Sequence, residues 1–196
     1  VDWDRELFPY IAAVDWSDGG LVMLVQTRDQ RSTLTLRVDE ITGETEVLAR
    51  DDDTAWVELV PGTPRLLADG TLVTAADRDG ARRLMVGGEP VTPNDLQVRA
   101  VLSATSEQIH FTANSVDDAT SLHVWQRSAD GALTALTDEP GIHSLVSGGP
   151  TTVARSAVID TPGTEVTVTH TDADARERTS TLDSYAETPL VEPNVQ

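Results

Sequence analysis

The chain has 196 residues, with 14 basic and 33 acidic side chains and a formal charge of −19, and every basic residue is Arg. A surplus of negative charge this large repels phosphate backbones and anionic lipid surfaces, which excludes nucleic-acid and membrane partners. Cysteine is absent, so disulfides, thiolate metal sites and a cysteine nucleophile are ruled out.

No window approaches the roughly 20 apolar residues of a membrane span, and no basic-then-apolar leader opens the chain. The expectation is a soluble protein, with the cytoplasm as the default compartment. The first residue is Val1 rather than Met, as expected of a piece cut from a longer protein.

Val1 to Tyr10 carries Trp3, Phe8 and Tyr10, which reads as an anchored edge. Ile11 to Asp15 alternates, Asp18-Gly19-Gly20 turns, and Leu21 to Gln26 is a compact apolar run expected as a buried strand. Leu34, Leu36 and Val38 alternate with Thr33, Thr35 and Arg37, and Thr42-Gly43 leads into Thr45, Val47 and Leu48. Asp51-Asp52-Asp53 closes this first unit. A second begins at Trp56-Val57-Glu58-Leu59 and continues through Leu72 to Ala75 and Leu84 to Val86, with turns at Asp69-Gly70 and Asp79-Gly80. A third runs through Ile109 to Ala113, then the alternating Leu122 to Arg127, then Asp130-Gly131 and Leu133 to Thr137. The fourth takes in Leu145, Thr152 to Arg155, Val166, Val168 and Arg178 to Leu182.

The comparable inner runs start near Val22, Leu72, Ile109 and Thr152, at spacings of 50, 37 and 43 residues. Those spacings sit around the roughly 40–50 residues of a four-stranded propeller blade. Helical periodicity is nearly absent, and only Asp183 to Ala186 has the makings of a brief turn. The fold class expected is all-β, a partial β-propeller of about three to four antiparallel four-stranded blades. Its blades are placed at roughly 10–55, 56–97, 98–144 and 145–183, with 184–196 as a linker. A two-sheet sandwich competes, since turn signals every 8–12 residues are partly present. The repeated order of buried run, polar break, alternating run, Asp-Gly and short run favours blades.

Candidates for chemistry are few. No Gly-x-Ser-x-Gly elbow occurs, and its nearest approach, Gly141-Ile142-His143-Ser144, lacks the spacing. The histidines His110, His123, His143 and His170 form no His-x-His or His-x-x-x-His ligand pair. Asp172-Ala173-Asp174 opens like a calcium loop but breaks at Arg176 and Glu177, so a hairpin tip is expected. The Asp-Gly pairs read as turns, and Trp16, Trp56 and Trp125 as packing residues in strands or at their starts. The residues by themselves yield no catalytic residue, no cofactor-binding residue and no metal ligand.

Read as strings, Glu6 to Ser17, Val25 to Arg31 and Trp56 to Leu59 resemble the dipeptidyl peptidase IV family, in the later half of its N-terminal β-propeller. Ile109 to Ala113, Leu122 to Trp125, Pro140 to Ser144 and Ser184 to Pro189 fit the same region in the same order. The resemblance implies a layout of an eight-bladed propeller followed by an α/β-hydrolase domain with a Ser-Asp-His triad, which removes X-Pro and X-Ala dipeptides from peptide N-termini. On that layout this chain holds no triad residue, and its partner is a peptide substrate met through the missing hydrolase domain. The family's Glu-Glu pair for the substrate amino group has no counterpart here, and Trp56 to Pro61 corresponds to a region that can border the active-site cavity. The rival reading is a stand-alone propeller scaffold for protein partners. Half a propeller also leaves two open faces, so self-association is expected.

Overall fold

The computed structural model describes residues 1–159 and 161–187 and contains sixteen strands and, among those residues, no helix. They fall into four sheets, each a four-stranded antiparallel meander in sequence order. Sheet 1 holds β1 (Tyr10–Ser17), β2 (Gly20–Gln26), β3 (Ser32–Val38) and β4 (Thr45–Asp52). Sheet 2 holds β5 (Arg65–Leu66), β6 (Leu72–Arg78), β7 (Ala81–Val86) and β8 (Glu89–Pro90). Sheet 3 holds β9 (Leu96–Ala104), β10 (Gln108–Ser115), β11 (His123–Ser128) and β12 (Leu133–Ala135). Sheet 4 holds β13 (Ile142–Gly148), β14 (Thr151–Ala157), β15 (Glu165–Thr171) and β16 (Glu177–Thr181). This is an all-β, partial β-propeller. The four inner runs picked out on sequence fall in the second strands of the sheets, β2, β6, β10 and β14.

Consecutive sheets touch, sheet 1 to sheet 2 through β1 and β5, sheet 2 to sheet 3 through β7 and β9, and sheet 3 to sheet 4 through β9, β11 and β13. The main core lies between sheets 2 and 3. There Val73, Leu84, Val98, Val101, Ile109, Phe111 and Ala113 pack together, none more than 3% exposed, with Val60 and Leu67 closing the edge. Register explains the grouping: Phe111 pairs with Val101, and Ala113 with Val98, so these side chains share one face of sheet 3.

A second cluster covers the outward face of sheet 1, where Phe8 sits on Met23, Val25, Leu36 and Val38 with Trp3 beside it. The amino-terminal segment is thereby anchored. Trp3 Nε1 donates to the Phe8 carbonyl at 3.0 Å, and the Arg5 guanidinium lies 4.3 Å from the Trp3 ring centre. The same face leaves Ile11, Val14, Trp16 and Val47 more than half exposed. At the other end of the chain Ile142 and Val146 on β13 are exposed in the same way.

Two glycines serve close approach. A Cβ on Gly19 would meet the Leu67 carbonyl oxygen at 2.1 Å, so Gly19 lets the β1–β2 turn press against sheet 2. The chain turns at Asp18-Gly19 as expected, but positive φ falls on Gly20, at 107°, rather than on Gly19. Gly62 lies against Val101, where a Cβ would meet the carbonyl oxygen at 1.8 Å. The connection between sheets 1 and 2 thus docks on β9, with Val101 N–H donating to the Pro61 carbonyl at 2.9 Å. Asp183 to Ala186 forms no helical turn, and 188–196 of the expected linker lie outside the described residues.

Because Phe111 is wholly buried in the shared core, Phe111→Ala is expected to cost roughly 3–5 kcal/mol. Urea denaturation followed by tryptophan fluorescence measures it, and a loss below about 1 kcal/mol would mean that sheets 2 and 3 do not share this core.

Candidate functional site

In an antiparallel meander, the turn between the second and third strands and the crossover to the next sheet lie at the same end. Applied to all four sheets, this gathers 27–31, 53–64, 79–80, 91–95, 116–122, 136–141, 158–159 and 161–164 on one rim. That rim carries acids from successive sheets, among them Asp29, Asp53, Asp79, Asp118 and Asp138, together with Arg28 and Arg31.

The best-defined part of the rim is the crossover from 53 to 64. Asp53 Oδ1 accepts the Ala55 and Trp56 amides at 2.6 and 3.1 Å, which turns the chain directly after β4. Val57 N–H donates to the Gln30 carbonyl at 2.7 Å, and Asp53 N–H to the Arg31 carbonyl at 2.9 Å, tying the crossover to the β2–β3 loop. Trp56 then projects into solvent at 60% exposure, its Nε1 donating to Glu58 Oε2 at 3.2 Å. This overturns the reading of Trp56 as a packed residue at a strand start. Asp53 and Pro61 fix a loop here, and no strand begins before Arg65. Trp16 is likewise exposed, at 70%, because its register partner Leu21 lies on the outward face of sheet 1. Trp125 alone of the three packs against the core.

The histidines sit on strands, and three of them share a motif that spacing cannot reveal. His110 Nδ1 lies 3.0 Å from Ser103 Oγ, His143 Nδ1 lies 2.9 Å from Ser156 Oγ, and His170 Nδ1 lies 3.0 Å from Thr151 Oγ1. Each pair consists of direct cross-strand neighbours. His143 Nε2 also reaches the Glu139 carbonyl at 2.8 Å, and its ring stacks on His123 at 5.5 Å between centroids. The Ser156–His143 pair has the elements of an activated nucleophile but not the setting. His143 is 3% exposed, Ser156 lies within the last two residues of a paired strand rather than on an elbow, and the third partner is a main-chain carbonyl. These pairs hold strands together.

Among the described residues no three His, Asp or Glu side chains are grouped to hold a metal ion. Asp172 Oδ1 accepts the Asp174 and Arg176 amides, each at 2.9 Å, so that segment is a hairpin tip. Asp118 closes the 116–122 loop by accepting from the Thr120 and Ser121 amides and the Thr120 hydroxyl. Asn114, 6% exposed, anchors the same loop: its Oδ1 accepts from Arg99 Nε at 2.6 Å, and its Nδ2 donates to the Ser121 and Ala119 carbonyls. The rim can bind through an indole and carboxylates, but the described residues supply no nucleophile with its base in an open cleft.

A row of meander sheets packed face to face, with a loop-built rim and no catalytic constellation, defines a propeller-type domain. The chain belongs to the family described as the dipeptidyl peptidase IV (DPP IV) N-terminal region, whose model matches residues 4–158. Among solved structures it is similar to dipeptidyl peptidase 4 of Porphyromonas gingivalis, with 18% identity and a TM-score of 0.69 over 87% of this chain and 26% of that one. A puromycin hydrolase mutant complexed with PGG is similar over 90% of this chain and 30% of its own, with 18% identity and a TM-score of 0.62. The chain therefore spans less than a third of the length of either. No curated protein sequence matches it.

Hydrogen bonds to backbone and hydroxyl donors hold Asp39, Asp69 and Asp118 below the usual carboxylate range. Arg50 and Ser32 hold Asp52 down to about 2. Carboxylates with depressed folded-state pKa values add stability above their unfolded value, and it is lost as pH falls through the folded one. Stability is thus expected to decline between about pH 4 and pH 2. Each exposed group contributes modestly and less at high salt. Circular dichroism at stepped pH in a marginal urea concentration reads this out, with Asp118→Asn flattening the slope.

Proposed function

We propose that this chain is a non-catalytic propeller segment of a dipeptidyl peptidase IV-like serine exopeptidase. It would gate and line access to an active site that releases N-terminal X-Pro and X-Ala dipeptides. The observation that carries the reading is the family match over 4–158 on four meander sheets. The rim crossover supports it, because Trp56 offers an aromatic surface beside Glu58 where an extended peptide could pass. The nucleophile would come from an α/β-hydrolase domain outside this chain, and the sheets would exclude folded proteins from it.

The intact protein is expected to cleave Gly-Pro-p-nitroanilide, while residues 1–196 alone release no nitroaniline. Absence of activity in an intact protein that carries a hydrolase domain would overturn the reading and favour a stand-alone binding scaffold.

The two open sheet faces support a further part of the proposal, that the isolated chain self-associates. Trp16, Val14 and Ile11 at one end, and Ile142 and Val146 at the other, are surfaces of the kind that a neighbouring sheet covers. Sedimentation velocity at rising concentration is expected to show species heavier than the monomer, and Trp16→Asp is expected to weaken them. A clean monomer at high concentration would sink this part.

A further inference from the structure

The interfaces between successive sheets are not equally filled. Sheets 2 and 3 close on each other through Phe111, Leu84 and Ile109. Between sheets 1 and 2 a cavity of about 390 Å³ remains. Leu24 and Met85 apart, its two broad walls carry short side chains. Leu24, Thr35 and Ala49 are register partners in a row across sheet 1, with Thr33 beside them, and Thr74 and Met85 are partners on sheet 2, with Ala76 beside them. Facing sheets stand roughly 10 Å apart, so short residues on both walls leave a slot rather than a sphere.

Polar groups in the slot are few. Thr33 and Thr35 are each about 4% exposed and line the cavity, placing two hydroxyl-bearing side chains on its sheet 1 wall. A hydroxyl both donates and accepts, so a polar ligand atom placed beside either one can exchange a hydrogen bond with it. The Asp51–Arg78 ion pair, 3.0 Å apart, and Glu58 stand where the slot meets the rim. Arg50 also lines the slot, so its two cations and two carboxylates cancel, and it is the −19 of the whole chain that disfavours an anionic ligand.

We infer that this slot between sheets 1 and 2 is a binding site for a planar, largely apolar small molecule of one or two fused rings. The ligand is uncharged or singly cationic and exchanges a hydrogen bond with Thr33 or Thr35. The volume lies within the roughly 300–1,000 Å³ of small-molecule sites. The wall formed by Val57 and Leu59 belongs to the rim crossover, so a bound ring would fix that segment from beneath. None of this depends on the peptidase reading.

The test uses three probes of one shape and different charge, indole, tryptamine and indole-3-acetate, titrated into the full chain and followed by amide ¹H–¹⁵N NMR. Indole and tryptamine are expected to give saturable shifts at Thr33, Thr35, Thr74 and Ala76, with indole-3-acetate binding more weakly. Thr35→Val keeps the shape but removes the hydroxyl and is expected to lower indole affinity roughly three- to tenfold. Ala76→Phe fills the slot and is expected to abolish the shifts. The inference is overturned by no saturable shift up to the solubility limit of indole, by shifts that map elsewhere, or by unchanged binding in a folded Ala76→Phe variant. Should that variant fail to fold, unchanged affinity in a Thr33→Val/Thr35→Val double variant overturns it instead.

Discussion

The fold depends on one requirement, that a sheet with two faces needs a neighbour on each. Strand β10 shows how the chain meets it. From Ile109 to Asn114 every residue is buried, although the strand alternates in character. Ile109, Phe111 and Ala113 enter the apolar core shared with sheet 2, while His110, Thr112 and Asn114 occupy the opposite face. Polar side chains can be buried there because partners are supplied across the strands. His110 is held between Ser103 and Gln126, and Asn114 between Arg99 and the loop that follows. The successive interfaces thus differ in chemistry, one apolar, one polar and one partly hollow.

The strands themselves were legible in the chain. Period-two alternation and apolar runs mark the second strands β2, β6 and β10, and the turns at Asp69-Gly70, Asp79-Gly80 and Asp130-Gly131 carry their glycines at positive φ. What lay beyond reach depended on which residues oppose each other across strands or between sheets. The pairing of His143 with Ser156 spans 13 residues and needs the β13–β14 register, which no local pattern specifies. Gly19 looked like a turn residue because it follows Asp18, yet its constraint comes from Leu67, a residue of the next sheet. Trp16 and Trp56 looked like packing residues because indoles usually pack. Their exposure follows from an uncovered sheet face in one case and a capped loop in the other.

The rim could be read only in outline. Its acidity was present in the composition, but the crossover that presents Trp56 is shaped by main-chain bonds from Val57 to Gln30 and from Asp53 to Arg31. Those bonds join segments some 20 to 30 residues apart. Similarly, the cavity beneath the crossover results from small residues that are unremarked in sequence, because Thr and Ala are ordinary in strands. Only the opposition of two such faces makes a space.

Asn114 carries a chemical liability within the same design. Its amide is oriented without ambiguity, oxygen toward the Arg99 guanidinium and nitrogen toward two carbonyls. Hydrolysis of that amide to a carboxylate during ageing would turn the donating end into an acceptor facing the Ser121 and Ala119 carbonyls inside a site closed to water. The loop from 116 to 122 would lose its tether while Arg99 kept its partner. The damage would therefore be directional, loosening the rim between β10 and β11 and leaving the pairing of β9 with β10 in place.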